Sequence, residues 1–137
     1  MIRLLIVDDH TVVRQGLSML FGTVEDIEVV GTAADGVLAL NQVHALTPDV
    51  VLMDIGMPRL NGIEATRQIV TADPGARIVI LTGDTDQTKV QQAVEAGALG
   101  FLLKDAEPET LFAAVRTAYA RESGSQPSAR EASRPSR

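Results

Sequence analysis

The sequence has no cysteine and no tryptophan, one tyrosine, three phenylalanines and two histidines among 137 residues. Without cysteine, disulfide scaffolds and thiolate metal centres are excluded. Two histidines restrict any zinc site to mixed carboxylate ligands, and no recognisable ligand spacing occurs. Neither a GxGxxG turn nor a Walker loop is present, which disfavours a nucleotide-binding reading. No apolar run approaches the roughly 18 residues that span a bilayer. Met1-Ile2-Arg3-Leu4 leads straight into strand-like sequence with no signal peptide. A cytoplasmic protein with no membrane partner is the expectation.

What is present suits one folded domain. Hydrophobic residues make up 45%, enough for a packed core. The net charge of −6 is uneven. Residues 123–137 carry three Arg and one Glu, whereas residues 1–122 carry 9 basic and 17 acidic side chains. So acidic a body repels a phosphate backbone, and proteins, cations or small phosphorylated donors are the fitting partners. From Ser123 the texture changes to SGSQPSAREASRPSR, without Val, Ile, Leu, Met or Phe. The expected organisation is a folded domain over 1–122 and a flexible linker or tail over 123–137.

Short apolar runs alternate with helical spacing. Ile2 to Val7, Ile27 to Thr32, Val50 to Met53, Ile78 to Leu81 and Leu99 to Leu103 read as strands, nearly continuous in apolar residues, as parallel strands covered on both faces are. Between them, Val12, Val13, Gly16, Leu17, Leu20 and Phe21 share one face of a first helix. Val37, Leu40 and Val43 mark a second, Ile63, Thr66, Ile69 and Val70 a third, and Val90, Ala93 and Val94 a fourth. Leu111, Phe112, Val115, Ala118 and Tyr119 mark a fifth, with Pro108 suited to its first turn. Asn61-Gly62 and Asp73-Pro74-Gly75 supply turn chemistry. Five strand–helix pairs in strict alternation predict an α/β three-layer sandwich with right-handed crossovers.

The informative polar residues follow the strands: Asp8-Asp9, Asp54, Thr82-Gly83-Asp84 and Lys104. In an open parallel sheet these ends share one edge, where α/β proteins place ligands. Two carboxylates about 4 Å apart repel by about 4 kcal/mol at an effective dielectric near 20, so three need protonation or a cation. An oxygen-only cluster suits Mg²⁺ better than Ca²⁺ or Zn²⁺. A metal beside a carboxylate suggests phosphate chemistry with Asp as covalent acceptor. Taken singly, each residue has a bland explanation as cap, turn or solvated charge. Their joint occurrence at successive strand ends does not. His10, behind the acid pair, reads as loop filler, and His44 as a surface residue.

IVDDH (6–10), VLMDIGMPRLNGIEATRQI (51–69), IVILTG (78–83) and AGALGFLLKD (96–105) together resemble the receiver domain of bacterial two-component response regulators. DDHTVVRQGL and GFLLKD are similar to the NarL/FixJ-type subfamily, whose receivers precede a LuxR-type helix-turn-helix output domain. The resemblance implies a flavodoxin-like, doubly wound (βα)5 fold with five parallel strands in the order 2-1-3-4-5. It implies that Asp54 is the phosphoacceptor, taking its phosphoryl group from a sensor histidine kinase or a small donor such as acetyl phosphate. Asp9, Asp54 and the Gly56 carbonyl would ligate Mg²⁺ (or Mn²⁺), with Asp8 holding it through water. Lys104 would pair with phosphoryl oxygens, Thr82 would donate its hydroxyl to them, and Gly83 would leave the backbone open.

Phe101 occupies the switch-aromatic position, where Tyr is commoner. Gly56 and Asp84 flank the phosphoryl site and would tune hydrolysis. Leu17, Leu20, Phe112, Val115 and Tyr119 are a candidate face for a phosphorylation-dependent homodimer, with their burial in the core the alternative. Any contact with DNA would run through a C-terminal output domain outside this sequence. Such a protein is no enzyme beyond its own phosphoryl uptake and loss. The competing functions are a stand-alone receiver signalling through protein contact and a haloacid-dehalogenase-like phosphatase. The latter needs an acid two residues after its nucleophile, where this chain has Gly56.

Overall fold

The computed structural model describes residues 1–57, 60–83 and 87–124. Five strands and five helices alternate: β1 (Ile2–Val7), α1 (Thr11–Phe21), β2 (Ile27–Ala33), α2 (Gly36–Leu46), β3 (Val50–Asp54), α3 (Gly62–Ala72), β4 (Ile78–Thr82), α4 (Gln87–Ala96), β5 (Gly100–Leu103) and α5 (Pro108–Gly124). All strand pairs are parallel and the order is β2-β1-β3-β4-β5, the doubly wound arrangement expected from the sequence.

Side chains alternate along a strand, so each strand feeds both faces of the sheet. Leu4, Ile6, Val50, Leu52, Val79, Leu81 and Leu102 pack against Leu17 and Phe21 of α1 and Leu111, Phe112 and Val115 of α5. Leu5, Val7, Val51, Met53, Ile78 and Ile80 pack against Ala39, Ala65, Ile69 and Ala93 of α2, α3 and α4. The central strands β3 and β4 are buried at every position, whereas the edge strands β2 and β5 are only partly covered. Phe21 and Phe112 meet edge to face at 5.4 Å, joining α1 to α5.

α2 and α3 begin where side chains satisfy their free N–H groups. Asp35 accepts from Leu38 N at 2.9 Å, and Asn61 accepts from Glu64 N at 2.9 Å. Asn61-Gly62 is thus a helix start, with Asn61 as cap, where the sequence suggested a turn. Asp73-Pro74-Gly75 is the expected turn, with Gly75 N donating to Asp73 Oδ1 at 3.0 Å.

Two details of helix placement differ from the sequence reading. Val12 and Gly16 do not join the buried face of α1. Val12 is 82% exposed, and the core takes Leu17 and Phe21 with Val13 and Leu20 packed alongside. Likewise Val37 is exposed, and Ala39 supplies the fully buried contact of α2. α5 continues to Gly124, two residues past the expected domain boundary, and the remaining tail lies outside the described residues.

Candidate functional site

Register decides which polar residues meet. Val7 of β1 pairs with Met53 of β3, which brings Asp8 level with Asp54. Asp54 pairs with Leu81 and Thr82 with Leu103, so Thr82 and Lys104 follow in step across β4 and β5. Asp8, Asp54 and Lys104 continue the alternation of Ile6, Leu52 and Leu102, and the three side chains reach one another. Lys104 Nζ stands 3.0 Å from Asp8 Oδ2 and 3.2 Å from Asp54 Oδ2. Its own backbone N–H donates to the Thr82 carbonyl at 2.9 Å, which fixes the lysine to the end of β4.

Asp8 is fully buried, and Asp54 and Thr82 nearly so. Asp8 is anchored through its main chain: its N–H donates to Ala33 O at 3.0 Å, and its carbonyl accepts from Arg14 Nη1 at 2.6 Å. Its Oδ1 accepts from His10 N at 2.8 Å. Asp54 Oδ1 accepts a longer bond from Gly56 N, at 3.3 Å. Asp8 Oδ2, Asp9 Oδ1 and Asp54 Oδ2 are sealed from solvent yet accept no well-directed hydrogen bond.

Burial, helped by the neighbouring charge of Asp8, pushes the Asp54 carboxyl above the ordinary Asp value, against the opposing pull of Lys104. For Lys104, burial acts to lower the pKa, but the close contact with Asp8 and the charges of Asp54 and Asp8 outweigh it and hold the ammonium above its ordinary value. Asp8, Asp9, His10 and Asp54 can each offer one ligand atom, all within 4.8 Å of one another. Asp8 and Asp54 face the Lys104 ammonium, and Asp9 beside them faces the His10 ring. Oxygen donors that are buried, under-bonded and net negative fit a divalent cation.

A cleft of about 240 Å³ opens over these groups, lined by His10, Asp54, Ile55, Gly56, Thr82, Gly83, Lys89 and Lys104. Gly56 and Gly83 are exposed, and a methyl group added at either would meet nothing within 4 Å. Gly62 is the opposite case. A Cβ there would lie 2.0 Å from the carbonyl oxygen of Asp54, so α3 can start against β3 only without a side chain. Gly36 makes a similar approach, its would-be Cβ 2.2 Å from Leu60 O, and locks the start of α2 onto the loop after β3.

The sequence-predicted residues Asp8, Asp9, Asp54, Gly56, Thr82, Gly83 and Lys104 therefore converge at the carboxy edge of the sheet. Phe101 stands on β5, 46% exposed and turned outward. Asp84 lies outside the described residues. The candidate dimer face does not hold together as a surface. Leu17, Phe112 and Val115 are buried and Leu20 packs against the core, because these apolar residues cover the sheet. Only Tyr119 is exposed, with the Arg77 guanidinium 5.3 Å from its ring centre.

Sequence reasoning missed three neighbours of the site. His10 is more than loop filler: its Nδ1 lies 3.2 Å from Asp8 Oδ1 and 3.2 Å from Asp9 Oδ1. Adjacency to the acid pair was the available signal. Arg14, one turn into α1, and Lys89, near the start of α4, carry no local signal at all.

A family model described as response regulator receiver domain matches residues 4–116. The chain is 47% identical over 109 residues to the uncharacterized transcriptional regulatory protein YhcZ of Bacillus subtilis, covering 80% of this chain and 51% of that protein. It is 43% identical over 118 residues to the transcriptional regulatory protein LiaR of the same organism, covering 86% and 56%. Among solved structures, a LuxR-family two-component response regulator from Aurantimonas superposes with a TM-score of 0.83 at 39% identity, covering 87% of this chain and 85% of that one. The chain spans about half the length of the curated relatives it matches.

Proposed function

This chain belongs to the response regulator receiver family, and from that premise we propose that it is a phosphorylation switch whose acceptor is Asp54. The donor is the phosphohistidine of a sensor histidine kinase, or a small acyl phosphate such as acetyl phosphate. The supporting observation is the register that sets a buried Asp54 beside Asp8 with Lys104 3.2 Å away.

An Asp54 carboxylate oxygen attacks the phosphorus. The P–N bond to the donor imidazole, or the P–O bond of the acyl phosphate, breaks, and its electron pair leaves with the donor. Asp54 must be ionised to attack. Burial and Asp8 oppose this, while Lys104 and the Gly56 N–H favour it. A Mg²⁺ ion (or Mn²⁺) held by Asp9, Asp54 and the Gly56 carbonyl, with Asp8 through water, would neutralise phosphoryl oxygens as charge builds. Lys104 pairs with another oxygen of the phosphoryl group and Thr82 donates its hydroxyl. The exposed Gly56 leaves one side of the site open to water, which favours a short-lived phosphoryl state.

The added charge draws Thr82 and its loop inward, and the outward Phe101 of the resting state turns into the space released. The readout is a changed protein-contact surface, including self-association. Of Leu17, Leu20, Phe112, Val115 and Tyr119, the last is the one exposed for such a face. The matched relatives are transcriptional regulators about twice as long. Control of transcription therefore passes through a DNA-binding output domain of the LuxR type in the whole protein, without other chemistry by this domain.

The test is incubation with acetyl phosphate and Mg²⁺ followed by intact mass measurement. Wild type gains one phosphoryl mass and Asp54→Asn gains none. Equal labelling of the two removes the assignment.

A further inference from the structure

The acid pocket holds one donor that the phosphorylation reading does not use, the imidazole of His10. We propose that His10 ligates a divalent transition-metal ion through Nδ1, beside the carboxylates of Asp8, Asp9 and Asp54, and so sets the preference of this site between such an ion and Mg²⁺. The inference rests on the reading of this pocket as a divalent-ion site.

The first observation is spacing. Nδ1 lies 3.2 Å from Asp8 Oδ1 and 3.2 Å from Asp9 Oδ1. Ligands on neighbouring positions of an ion with bonds of about 2.1 Å are about 3.0 Å apart, so this trio already has the edge lengths of a coordination shell. The second is the need for a cation. Asp9 Oδ1 and Asp54 Oδ2 are buried without a directed hydrogen bond. Lys104 stands over Asp8 Oδ2 and Asp54 Oδ2, leaving the Asp9 side to His10.

The third is how His10 is held. It occupies the position before α1 with extended backbone (φ −93, ψ 112), yet its side chain makes no capping hydrogen bond. Residues chosen for that position usually spend their side chain on the helix N–H groups. Here the backbone N–H is tied to Asp8 at 2.8 Å, and the ring is directed at the acids. The ring is 64% exposed, so it can pivot the last few tenths of an ångström without disturbing the core.

The chemistry separates two classes of ion. Mg²⁺ takes oxygen ligands and keeps several waters, so an imidazole adds little. Co²⁺, Ni²⁺ and Zn²⁺ accept imidazole nitrogen readily, and a site of one nitrogen and several carboxylate oxygens favours them.

The experiment titrates wild-type chain and His10→Gln with Co²⁺ and with Mg²⁺ by calorimetry at one pH, and reads the ratio of the two affinities. The variant keeps a polar side chain but loses the ligating nitrogen. A ratio at least tenfold lower in His10→Gln supports the assignment. So does a large paramagnetic shift of the His10 ring protons on Co²⁺ addition, with the other histidine, His44 on α2, unmoved. If both ions bind and the ratio is the same in both proteins, His10 is only a counter-charge and the inference falls alone. If neither ion binds wild type, the divalent-ion reading of the pocket falls with it. Asp54→Asn labelling still tests the phosphoacceptor separately.

Discussion

The two edges of the sheet use the same kinds of residue to opposite ends. At the amino edge, Arg3 Nη1 donates to Leu46 O at 2.7 Å and Thr47 O at 2.8 Å, and Arg3 N donates to Asp49 Oδ2 at 2.8 Å. Arg77 Nη1 donates to Asp49 O at 3.0 Å. Nearby, Arg116 grips Asp26 through Nε and Nη2 at 2.8 and 2.9 Å. Cationic side chains there bind the carbonyls between α2 and β3 and the carboxylate before β2, and the result is a tie between elements. At the carboxy edge, Asp8 and Asp54 share one lysine with Asp9 beside them, and buried oxygens are left without well-directed donors. A satisfied polar group stabilises, whereas an under-bonded one destabilises until something binds. The carboxy edge therefore carries a cost in stability that a bound cation would offset.

Gly62→Ala breaks the carboxy edge most severely. Its new methyl meets the Asp54 carbonyl, so unfolding in urea should show a loss of about 3 kcal/mol, and divalent-ion binding should weaken with it. Arg3→Ala attacks the opposite edge. Losing charge-assisted bonds to two carbonyls should lower stability by about 2 kcal/mol while the divalent-ion affinity stays within twofold. Were ion affinity to fall as far as in Gly62→Ala, the two edges would not be separable.

Asp54→Asn sharpens the contrast through pH. The folded-state pKa of Asp54 is raised above its unfolded value, first by burial and then by Asp8. The native state therefore gains from protonation of Asp54, a gain fully present below the unfolded value of 3.8 and lost as pH rises through the folded value. Without added divalent ions, the asparagine variant should melt higher than wild type at pH 7, with the advantage shrinking on acidification. A variant that melts lower at pH 7 would mean that the Lys104 contact outweighs burial and repulsion.

Arg116→Ala should have the smallest effect. Arg116, by hydrogen bond and charge, holds the Asp26 carboxyl below its usual value, so its contribution is present above 3.8 and fades as pH falls through the lowered folded value. The pair is exposed, so any change in melting temperature should be slight and should vanish in high salt.

Much of this was legible from the chain. The runs 50–53 and 78–81 announce buried parallel strands because both faces are apolar, and Asp54 and Thr82 stand out by following them; the structure takes each into its strand. Helix faces were read less well. Val12 has the right spacing for the α1 core but sits in the first turn and is exposed. Leu17, Phe112 and Val115 looked usable as a partner surface because hydrophobicity does not say which neighbour is buried against it. Asn61-Gly62 read as a turn because its defining contact, the Asp54 backbone against Gly62, depends on how α3 meets β3.

The sequence by itself determined the α/β alternation, the two apolar faces of each central strand, and the acid, hydroxyl and ammonium groups at the strand ends. All are set by short-range periodicity and by what a side chain can carry. The tertiary structure alone decided that Val7 pairs with Met53 and Thr82 with Leu103, that Lys104 reaches two particular carboxylate oxygens, and that His10 turns its ring onto the acid pair. Those outcomes depend on register and on angles between packed elements, which arise from contacts between residues distant along the chain.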